Sequence, residues 1–481
     1  MQNQDQLNGQ SPKAEERPAS APAVNSSASS EVKVDEKDIV KNIVAYMEKH
    51  KEELAEHYLS VKTKADDNNN RPQSEMYNCV AIENDAYFAK LLSVSVVILT
   101  ANYFESEILN LNLSKKYNCP VLRLKDDLQL LQGEKLSQAY ILELESYTIL
   151  HLHAPDTGSN TPCGSADLVR YVNECEYLNP NCIISFGICF GTNMKDYNLG
   201  DSIIAKKIYP WSIGVKISRD KQGNTTWTTK SDDYIISLET NARGLFRKIE
   251  EVCNATTNLC IGQKVHLGNM ITSEAVVSNE LVKRSAEVAA HGWEIIGGEM
   301  EGYGLVKEAL YYGPHENGMS RIACVILKAI CDWGAVKNFD EDIEQKLNSV
   351  MVVKKSYKDQ LQAYTAYCAY KVLEDLFEKK VFDNNNILSS FTKYIKNLFT
   401  RNNGIMSVDR FHQYIFEWLA NSYVDYQASD LRLPVEKYNR LSMERLNNYI
   451  KMLSSLVLEN TNEYYLDNST PKMIYRHPIQ K

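Results

Sequence analysis

The sequence predicts an α/β protein in which helices flank a central sheet, with further helical regions at both ends. Short apolar runs rich in β-branched residues alternate with segments of helical periodicity along the middle of the chain. This alternation is typical of α/β domains. Hydrophobic residues make up 44% of the 481 residues, which is enough to build a sizeable core.

The individual segments follow from their length and periodicity. Brief, continuous apolar runs are typical of buried strands, and three- and four-residue apolar spacing is typical of helices. The predicted strands are 93–101, one or two strands in 139–154, 182–191, 264–272 and the start of 321–334. The predicted helices are 167–178, 237–255, 299–313 and 357–382.

Composition divides the chain into four regions. Residues 1–35 have few large apolar groups and are predicted to be disordered, because such a segment cannot offset its ordering entropy. Residues 36–90 contain one amphipathic helix, ending near residue 64, and a polar linker at 65–74. The α/β domain is expected at 91–382, and 383–481 carries two more helical patterns without recognisable chemistry.

Charge and composition exclude several classes of protein. The formal net charge of −9 argues against a general affinity for nucleic acid. No apolar stretch is long enough to span a bilayer, and the N-terminus lacks the apolar core of a secretory signal. Eleven cysteines are scattered without zinc spacing. We therefore expect a cytoplasmic protein with reduced thiols, no structural metal, no cofactor and no membrane partner.

Two segments combine apolar residues with unexpected carboxylates. GGEMEGYGL (297–305) places Glu299 and Glu301 after two glycines, and VILKAICDWGAVKN (325–338) ends an apolar strand in Asp332. On residue types alone, helix capping or turn formation explains these acids as well as a ligand site does. The carboxyl edge of strands is, however, where open α/β sheets bind ligands.

In this order and spacing the two segments resemble the nucleoside phosphorylase and nucleosidase superfamily, which includes purine nucleoside phosphorylase and methylthioadenosine/S-adenosylhomocysteine nucleosidase. Three further segments extend the resemblance over about residues 91–380: VVILTANYFESEI (96–108), ISFGICFGTNMKDYNLGDSIIAKKI (184–208) and NMITSEAVVSN (269–279). The resemblance implies a nucleoside phosphorylase-like central mixed sheet and cleavage of the N-glycosidic bond of a purine nucleoside or nucleotide. It also implies a homo-oligomer.

The resemblance assigns roles residue by residue. Asp332 would be the general acid at purine N7, and Glu105 would position or deprotonate the attacking water. Glu301 would bind the ribose hydroxyls and stabilise positive charge on the sugar, with Met300 under the ribose face and Glu299 as a neighbouring acid. The residues implied at the base are Gly187, Val276 and Val277.

Departures from the pattern bear on the nucleophile. Phosphorylases carry a Gly-Asp-Pro turn and an Arg near the first strand, and this chain has TANYFESE there. Ser185 and Ile188 stand where phosphorylases place another Arg and a Ser. Without that cationic clamp for phosphate, water is favoured and hydrolysis is expected. Phosphorolysis, and an inactive module that binds nucleosides, remain alternatives.

The segment HLHAPDTGSNTPCGSAD (151–167) indicates which group the substrate carries at its 5′ end. Its glycines and hydroxyls favour a phosphorylated adenine nucleotide such as ATP, with Thr157, Ser159 and Ser165 as candidate phosphate ligands. An ordinary connection in which Ser165 caps the next helix is the alternative. The candidate cations for the phosphates are His151, His153, Lys206 and Lys207.

Glu107, Cys331 and the regions outside the α/β domain carry further expectations. Glu107 is predicted on a solvated helix face, and Cys331 is predicted as a buried packing thiol, because its motif holds no His to activate it. The extra regions 36–64 and 383–481 suggest a regulated effector with a partner for the C-terminal region. Superfamily members in bacterial antiviral defence systems, where related domains split adenine from ATP, have such fused modules.

Overall fold

The structure is a computed structural model that describes most of residues 36–384 and a few short segments beyond. The described ranges are 36–61, 77–124, 138–154, 164–175, 177–210, 215–219, 225–229, 235–256, 259–272, 294–312, 315–316, 319–320, 322–334, 339–353, 356–384, 386, 389, 393–394, 397, 405–407, 465–467 and 474–476. The predicted tail 1–35, the linker 65–74 and the helical patterns at 411–424 and 442–459 lie outside these residues.

Eleven strands of the described residues form one mixed sheet, which confirms the predicted fold class. The strands on its main path follow the spatial order β1-β3-β4-β5-β2-β6-β12-β11-β7-β10, and β15 pairs with both β6 and β7. They are β1 (Cys79–Ile82), β2 (Val94–Thr100), β3 (Val121–Leu124), β4 (Gln138–Glu143), β5 (Thr148–His153), β6 (Cys182–Gly191), β7 (Ser202–Pro210), β10 (Ile236–Ser237), β11 (Val265–Thr272), β12 (Ile295–Glu299) and β15 (Ala323–Asp332). Short hairpins are formed by β8 (Val215–Arg219) with β9 (Thr225–Thr229) and by β13 (His315–Glu316) with β14 (Met319–Ser320).

Strand direction decides where side chains meet. The strands β5, β2, β6 and β15 run parallel, so their carboxyl ends reach the same edge. The strands β7, β11 and β12 run parallel to one another, and antiparallel pairings join β12 to β6 and β7 to β15. These pairings close a ring of five strands, β6-β12-β11-β7-β15, and most of the implied site residues lie on or beside it.

Helices cover the sheet. They are α1 (Glu36–Lys49), α2 (Lys51–Val61), α3 (Asn84–Leu91), α4 (Tyr103–Tyr117), α5 (Ser165–Glu174), α6 (Leu238–Asn241), α7 (Arg243–Ala255), α8 (Gly302–Lys307), which continues as a π-helical turn (Glu308–Tyr312), α9 (Glu341–Val350) and α10 (Tyr357–Glu378). The apolar faces of α1, α2, α4 and α10 share one buried core with the sheet. Burial of this apolar surface is the main favourable term in folding.

Several element predictions need correction in detail. The segment 139–154 forms two strands, the antiparallel pair β4 and β5, which agrees with the prediction of one or two strands. The helix expected at 36–64 is interrupted at His50, although the amide of His50 still donates to Tyr46 O at 3.0 Å. The segment 237–255 forms two helices, because Ala242 leaves helical geometry between α6 and α7.

The region beyond residue 383 contains strands that the sequence analysis did not predict. β16 (Ile405–Ser407), β17 (Tyr465–Asp467) and β18 (Ile474–Arg476) form a three-stranded antiparallel sheet. Separately, in the described part of the chain no helix combines the length and the apolarity needed to cross a membrane.

Candidate active site

The first turn of α4 fixes Glu105. Asn102 precedes the helix and its side chain accepts a hydrogen bond from Phe104 N at 2.8 Å. In return, Glu105 Oε2 accepts from the amides of Asn102 (3.0 Å) and Ala101 (2.9 Å). This reciprocal arrangement is a capping box. It holds a carboxylate at the carboxyl end of β2, where the resemblance placed one.

A second strand completes the surroundings of Glu105. Oε1 of Glu105 accepts a hydrogen bond at 2.9 Å from the amide of Ile188, which lies in the second half of β6. The neighbouring Gly187 has φ +151°, and a Cβ there would lie 2.0 Å from Glu105 Oε1. Only glycine therefore allows this approach. The structure gives Gly187, expected near the base, a steric role beside Glu105.

Glu105 is almost completely buried, at 3% exposure. Burial raises its pKa, while the nearby ammonium of Lys328 lowers it and the charge of Glu301 raises it. A carboxylate offers about four acceptor positions, and three are taken by backbone amides. One position remains by this count, which suits the holding of a single small donor such as water.

Glu299 joins the end of β12 to the start of α8. Its carboxylate accepts from the Thr272 hydroxyl and from the amides of Glu301 (2.9 Å) and Gly302 (2.8 Å). Thr272 is its register partner at the end of β11. Burial raises the pKa of Glu299 to about 7, although Lys328 acts in the opposite direction. The carboxyl group therefore organises the segment that carries Met300 and Glu301.

Lys328 is the residue that the sequence analysis missed. It lies in the middle of β15 with an exposure of 1%, and its Nζ donates to Glu301 Oε2 at 3.1 Å. Burial alone would lower its pKa, but the charges of Glu301, Glu105 and Glu299 outweigh this and raise it. A lysine within the apolar run VILKAI was the signal, because buried charges need partners.

Asp332 ends β15, four residues after Lys328. An irregularity in the pairing with β6 at Cys331 precedes it. Its Oδ1 accepts from Gly334 N at 2.8 Å, and the Cys331 Sγ lies 3.6 Å from Oδ2. Cys331 is partly exposed rather than buried, contrary to the expectation for a packing thiol. Asp332 itself is half-buried at the same edge as the other acids.

Part of the predicted set falls outside the described residues or has another contact. Thr157, Ser159, Val276 and Val277 lie outside them. Ser165 is described and buried, and its hydroxyl donates to Glu301 O at 2.6 Å. Gly164 takes the N-cap position of α5 without a side-chain bond, so the capping alternative for Ser165 is wrong. Met300 is half-buried between Glu299 and Glu301.

The candidate phosphate cations have other partners in the structure. His151 is fully buried, with Nδ1 2.8 Å from Asn110 Oδ1 and Nε2 2.9 Å from Thr100 Oγ1. Burial, and then His153, lowers the pKa of His151 well below its ordinary value, which favours the neutral ring. Lys206 lies 3.6 Å from Glu239 and 3.8 Å from Glu250. His153 contacts Thr100 Oγ1 at 3.1 Å, and Lys207 follows Lys206 on β7.

Glu107 is not on a solvated face. Its exposure is 5%, and the Tyr77 hydroxyl donates to Oε2 at 3.2 Å. Burial raises the pKa of Glu107 to about 7, against the opposing effects of Tyr77 and Arg123. The expectation failed because α4 is covered on nearly all sides, so its sequence gives no clear polar face. Within the described residues, no group of three or more His, Cys, Asp or Glu side chains could hold a metal ion.

Comparison with known proteins gives one curated relative. The chain is 28% identical over 187 residues to the death domain-containing ATP nucleosidase of Amphimedon queenslandica. The aligned region covers 37% of this chain and 33% of the relative. The chain thus spans about a third of that protein's length. The match confirms the resemblance to nucleosidases expected from the sequence. No protein-family model matches the chain.

Solved structures that match part of this chain include a hydrolase and a nucleosidase. Futalosine hydrolase of Helicobacter pylori strain 26695 has a TM-score of 0.38 at 13% identity, covering 60% of this chain and 98% of its own. The methylthioadenosine/S-adenosylhomocysteine nucleosidase of Colwellia psychrerythraea 34H, in complex with adenine, has a TM-score of 0.38 at 12% identity. That alignment covers 60% of this chain and 96% of the nucleosidase.

Proposed function

We propose that this chain is an N-glycosidase that hydrolyses the bond between adenine and ribose in an adenine nucleotide such as ATP. One observation carries the proposal: Lys328 is buried among Glu105, Glu299 and Glu301, with Asp332 at the end of the same strand. The similarity to an ATP nucleosidase supports adenine nucleotides as the substrate class.

The departing base needs a proton donor. Asp332 is half-buried at the end of β15 and Gly334 N orients its Oδ1 at 2.8 Å. We assign it to purine N7, where protonation or a hydrogen bond lets adenine leave without negative charge. Proton transfer of this kind contributes about 10²–10⁴-fold to the rate.

The sugar develops positive charge as the bond breaks. Glu301 is assigned to the ribose hydroxyls, where its charge stabilises that centre. Its bond to Lys328 restrains the carboxylate before substrate arrives, and pre-organised charges lose little energy to rearrangement during the reaction. Met300 is assigned to the apolar face of the ribose.

The nucleophile is assigned to a water held by Glu105. Three backbone amides fix the carboxylate, and the raised pKa brings it closer to the range in which a carboxylate is an effective base. Lys328 does not substitute for the arginines of phosphorylases, because its ammonium is buried and bonded to Glu301. This arrangement supports hydrolysis over phosphorolysis.

The decisive experiment measures adenine release from ATP, AMP, adenosine and methylthioadenosine, with and without phosphate. We expect ATP to be preferred, phosphate to have no effect, and the sugar product to carry no phosphate at its anomeric carbon. A sugar 1-phosphate would establish phosphorolysis instead. Binding of the substrates without release of adenine would support an inactive binding module.

Substitution of the acid tests the mechanism. Asp332→Asn is nearly isosteric and should lower adenine release by about 100-fold or more, while far-ultraviolet circular dichroism stays unchanged. The matched control Asp340→Asn, at an exposed residue before α9, should retain activity. Near-normal turnover by Asp332→Asn would remove Asp332 from the mechanism.

The setting of this activity is part of the proposal. We infer a cytoplasmic homo-oligomer in which the region 383–481 binds a regulatory partner, and an effector role in antiviral defence. The support is the size of the chain beyond its α/β core. Light scattering of the purified chain measures the oligomeric state, and a monomer at all concentrations would contradict it.

A further inference from the structure

A cavity is lined by residues that have no assigned role in the candidate active site. It has a volume of about 250 Å³ and is bounded by α1, α10 and the turn at 260–263. Tyr46 and Lys49 line it from α1, and Tyr364 and Cys368 line it from α10. Cys260 enters it from the turn. None of these residues belongs to the machinery assigned above.

Two thiols meet in this cavity. Cys260 and Cys368 both line it, although 108 positions separate them along the chain (368 − 260). Gln263 fixes both backbones, since its Oε1 accepts from Cys260 N at 3.0 Å and its Nε2 donates to Cys368 O at 2.8 Å. A single side chain therefore holds the turn against α10, so that both cysteines border the same cavity.

The two sulfurs differ in accessibility. Cys260 is partly exposed, whereas Cys368 has an exposure of 1%. A reagent that enters the cavity therefore reaches Cys260 first. Cys368 borders the same cavity from α10 and supplies a second thiol that can displace a group attached to the first.

The two thiols also differ in pKa, in the same sense as in accessibility. Interaction with the Cys368 thiol lowers the pKa of Cys260, burial opposes it, and interaction with Tyr364 and the charge of Lys371 lower it further. Burial raises the pKa of Cys368 well above its ordinary value. Because the thiolate is the nucleophile, Cys260 is the more reactive of the two.

We propose that Cys260 and Cys368 form a redox-active dithiol that is oxidised by low-molecular-weight disulfides such as oxidised glutathione. The Cys260 thiolate attacks one sulfur of the reagent and expels the other as a thiolate. Cys368 loses its proton to solvent, attacks the mixed disulfide at Cys260 and releases the second half of the reagent. In total, two protein thiols are oxidised to one disulfide and one reagent disulfide is reduced to two thiols.

Peptide mass spectrometry of the folded full-length chain tests this chemistry. The protein is incubated with oxidised glutathione, its remaining thiols are blocked with N-ethylmaleimide, and it is digested. We expect a Cys260–Cys368 cross-linked peptide from the wild type. In Cys368→Ser the second step is impossible, so a mixed disulfide with glutathione should accumulate on Cys260. In Cys260→Ser, Cys368 should stay unmodified.

Cys253 provides the internal comparison. It is also partly exposed, but burial raises its pKa to about 12. Modification of Cys260 in Cys368→Ser should exceed that of Cys253 by about 10-fold or more at neutral pH. The proposal is overturned if Cys260 reacts no more than Cys253, or if wild-type Cys260 carries glutathione without a cross-link. Circular dichroism of each variant excludes unfolding as the cause of a change in reactivity.

Discussion

The stability of the fold should depend strongly on the pairing of Lys328 with its acidic neighbours. Its ammonium is 1% exposed and bonded to Glu301 at 3.1 Å. Removing one member of a buried ion pair leaves the other charge without compensation, so Lys328→Met should lower the free energy of unfolding by about 3–5 kcal/mol. Urea denaturation measures this change.

Two further variants separate charge balance from packing. Lys206→Met, at a partly exposed lysine 3.6 Å from Glu239, should change stability by less than about 1 kcal/mol. The double variant Lys328→Met/Glu301→Gln should recover part of the loss, since no unpaired carboxylate remains at residue 301. If the double variant is as unstable as the sum of the single variants, the two side chains are not coupled.

Gly187 tests the close contact with Glu105. A methyl group at Gly187 would lie 2.0 Å from Glu105 Oε1, and φ +151° strains any L side chain. Gly187→Ala should therefore destabilise the fold by about 2 kcal/mol or more and displace the carboxylate, with a loss of adenine release. Gly244→Ala in α7 meets nothing within 4 Å and should be neutral or stabilising by about 1 kcal/mol. Equal unfolding midpoints for the two variants would contradict the contact.

At the scale of elements, the start of α4 links a local motif to the site. Asn102→Ala removes the side-chain cap of Phe104 N and should cost about 1 kcal/mol in the free energy of unfolding. The backbone amide of Asn102 remains to hold Glu105, so turnover should fall far less than in Gly187→Ala. Asn102→Ser retains a capping oxygen and should restore most of the stability. Identical denaturation curves for the alanine and serine variants would show that the cap contributes nothing.

The strands were predictable because their signals are local. The segments that became β2, β6 and β15 are continuous apolar runs, and such runs are typical of strands buried on both faces. The resemblance, which rests on segments in a fixed order, also singled out the acids at 105, 299, 301 and 332, and their roles in the reaction stay predictions.

The contacts between these segments were not predictable in the same way. Ile188 N reaches Glu105, and Lys328 reaches Glu301, across 83 and 27 positions of sequence. Periodicity describes one element at a time, and it contains no information on which strands become neighbours. The same limit explains the wrong prediction for Glu107, because Tyr77, 30 positions away in sequence, donates a hydrogen bond to its carboxylate.

At the scale of the whole molecule, ring closure decides the position of the site. β15 pairs in parallel with β6 and antiparallel with β7, and β12 pairs antiparallel with β6. Two sets of parallel strands of opposite direction are thereby joined. Glu299, at the end of β12, consequently interacts through its charge with Lys328 on β15, although these two strands do not pair with each other.

The stability of the whole molecule should depend on pH through Glu107. Its pKa is raised from 4.5 to about 7 in the folded chain, chiefly by burial. A carboxyl group with a raised pKa contributes stability that is complete below its unfolded pKa and is lost as the pH rises through its folded pKa. Glu107→Gln keeps an acceptor for Tyr77 but cannot ionise. The variant should therefore match the wild type below about pH 4 and exceed its free energy of unfolding by about 3 kcal/mol at pH 8. Urea denaturation at both pH values measures the difference, with Glu56→Gln on the exposed face of α2 as the control. A constant difference between variant and wild type at pH 4 and pH 8 would mean that Glu107 is ionised to the same extent in the folded and unfolded chains.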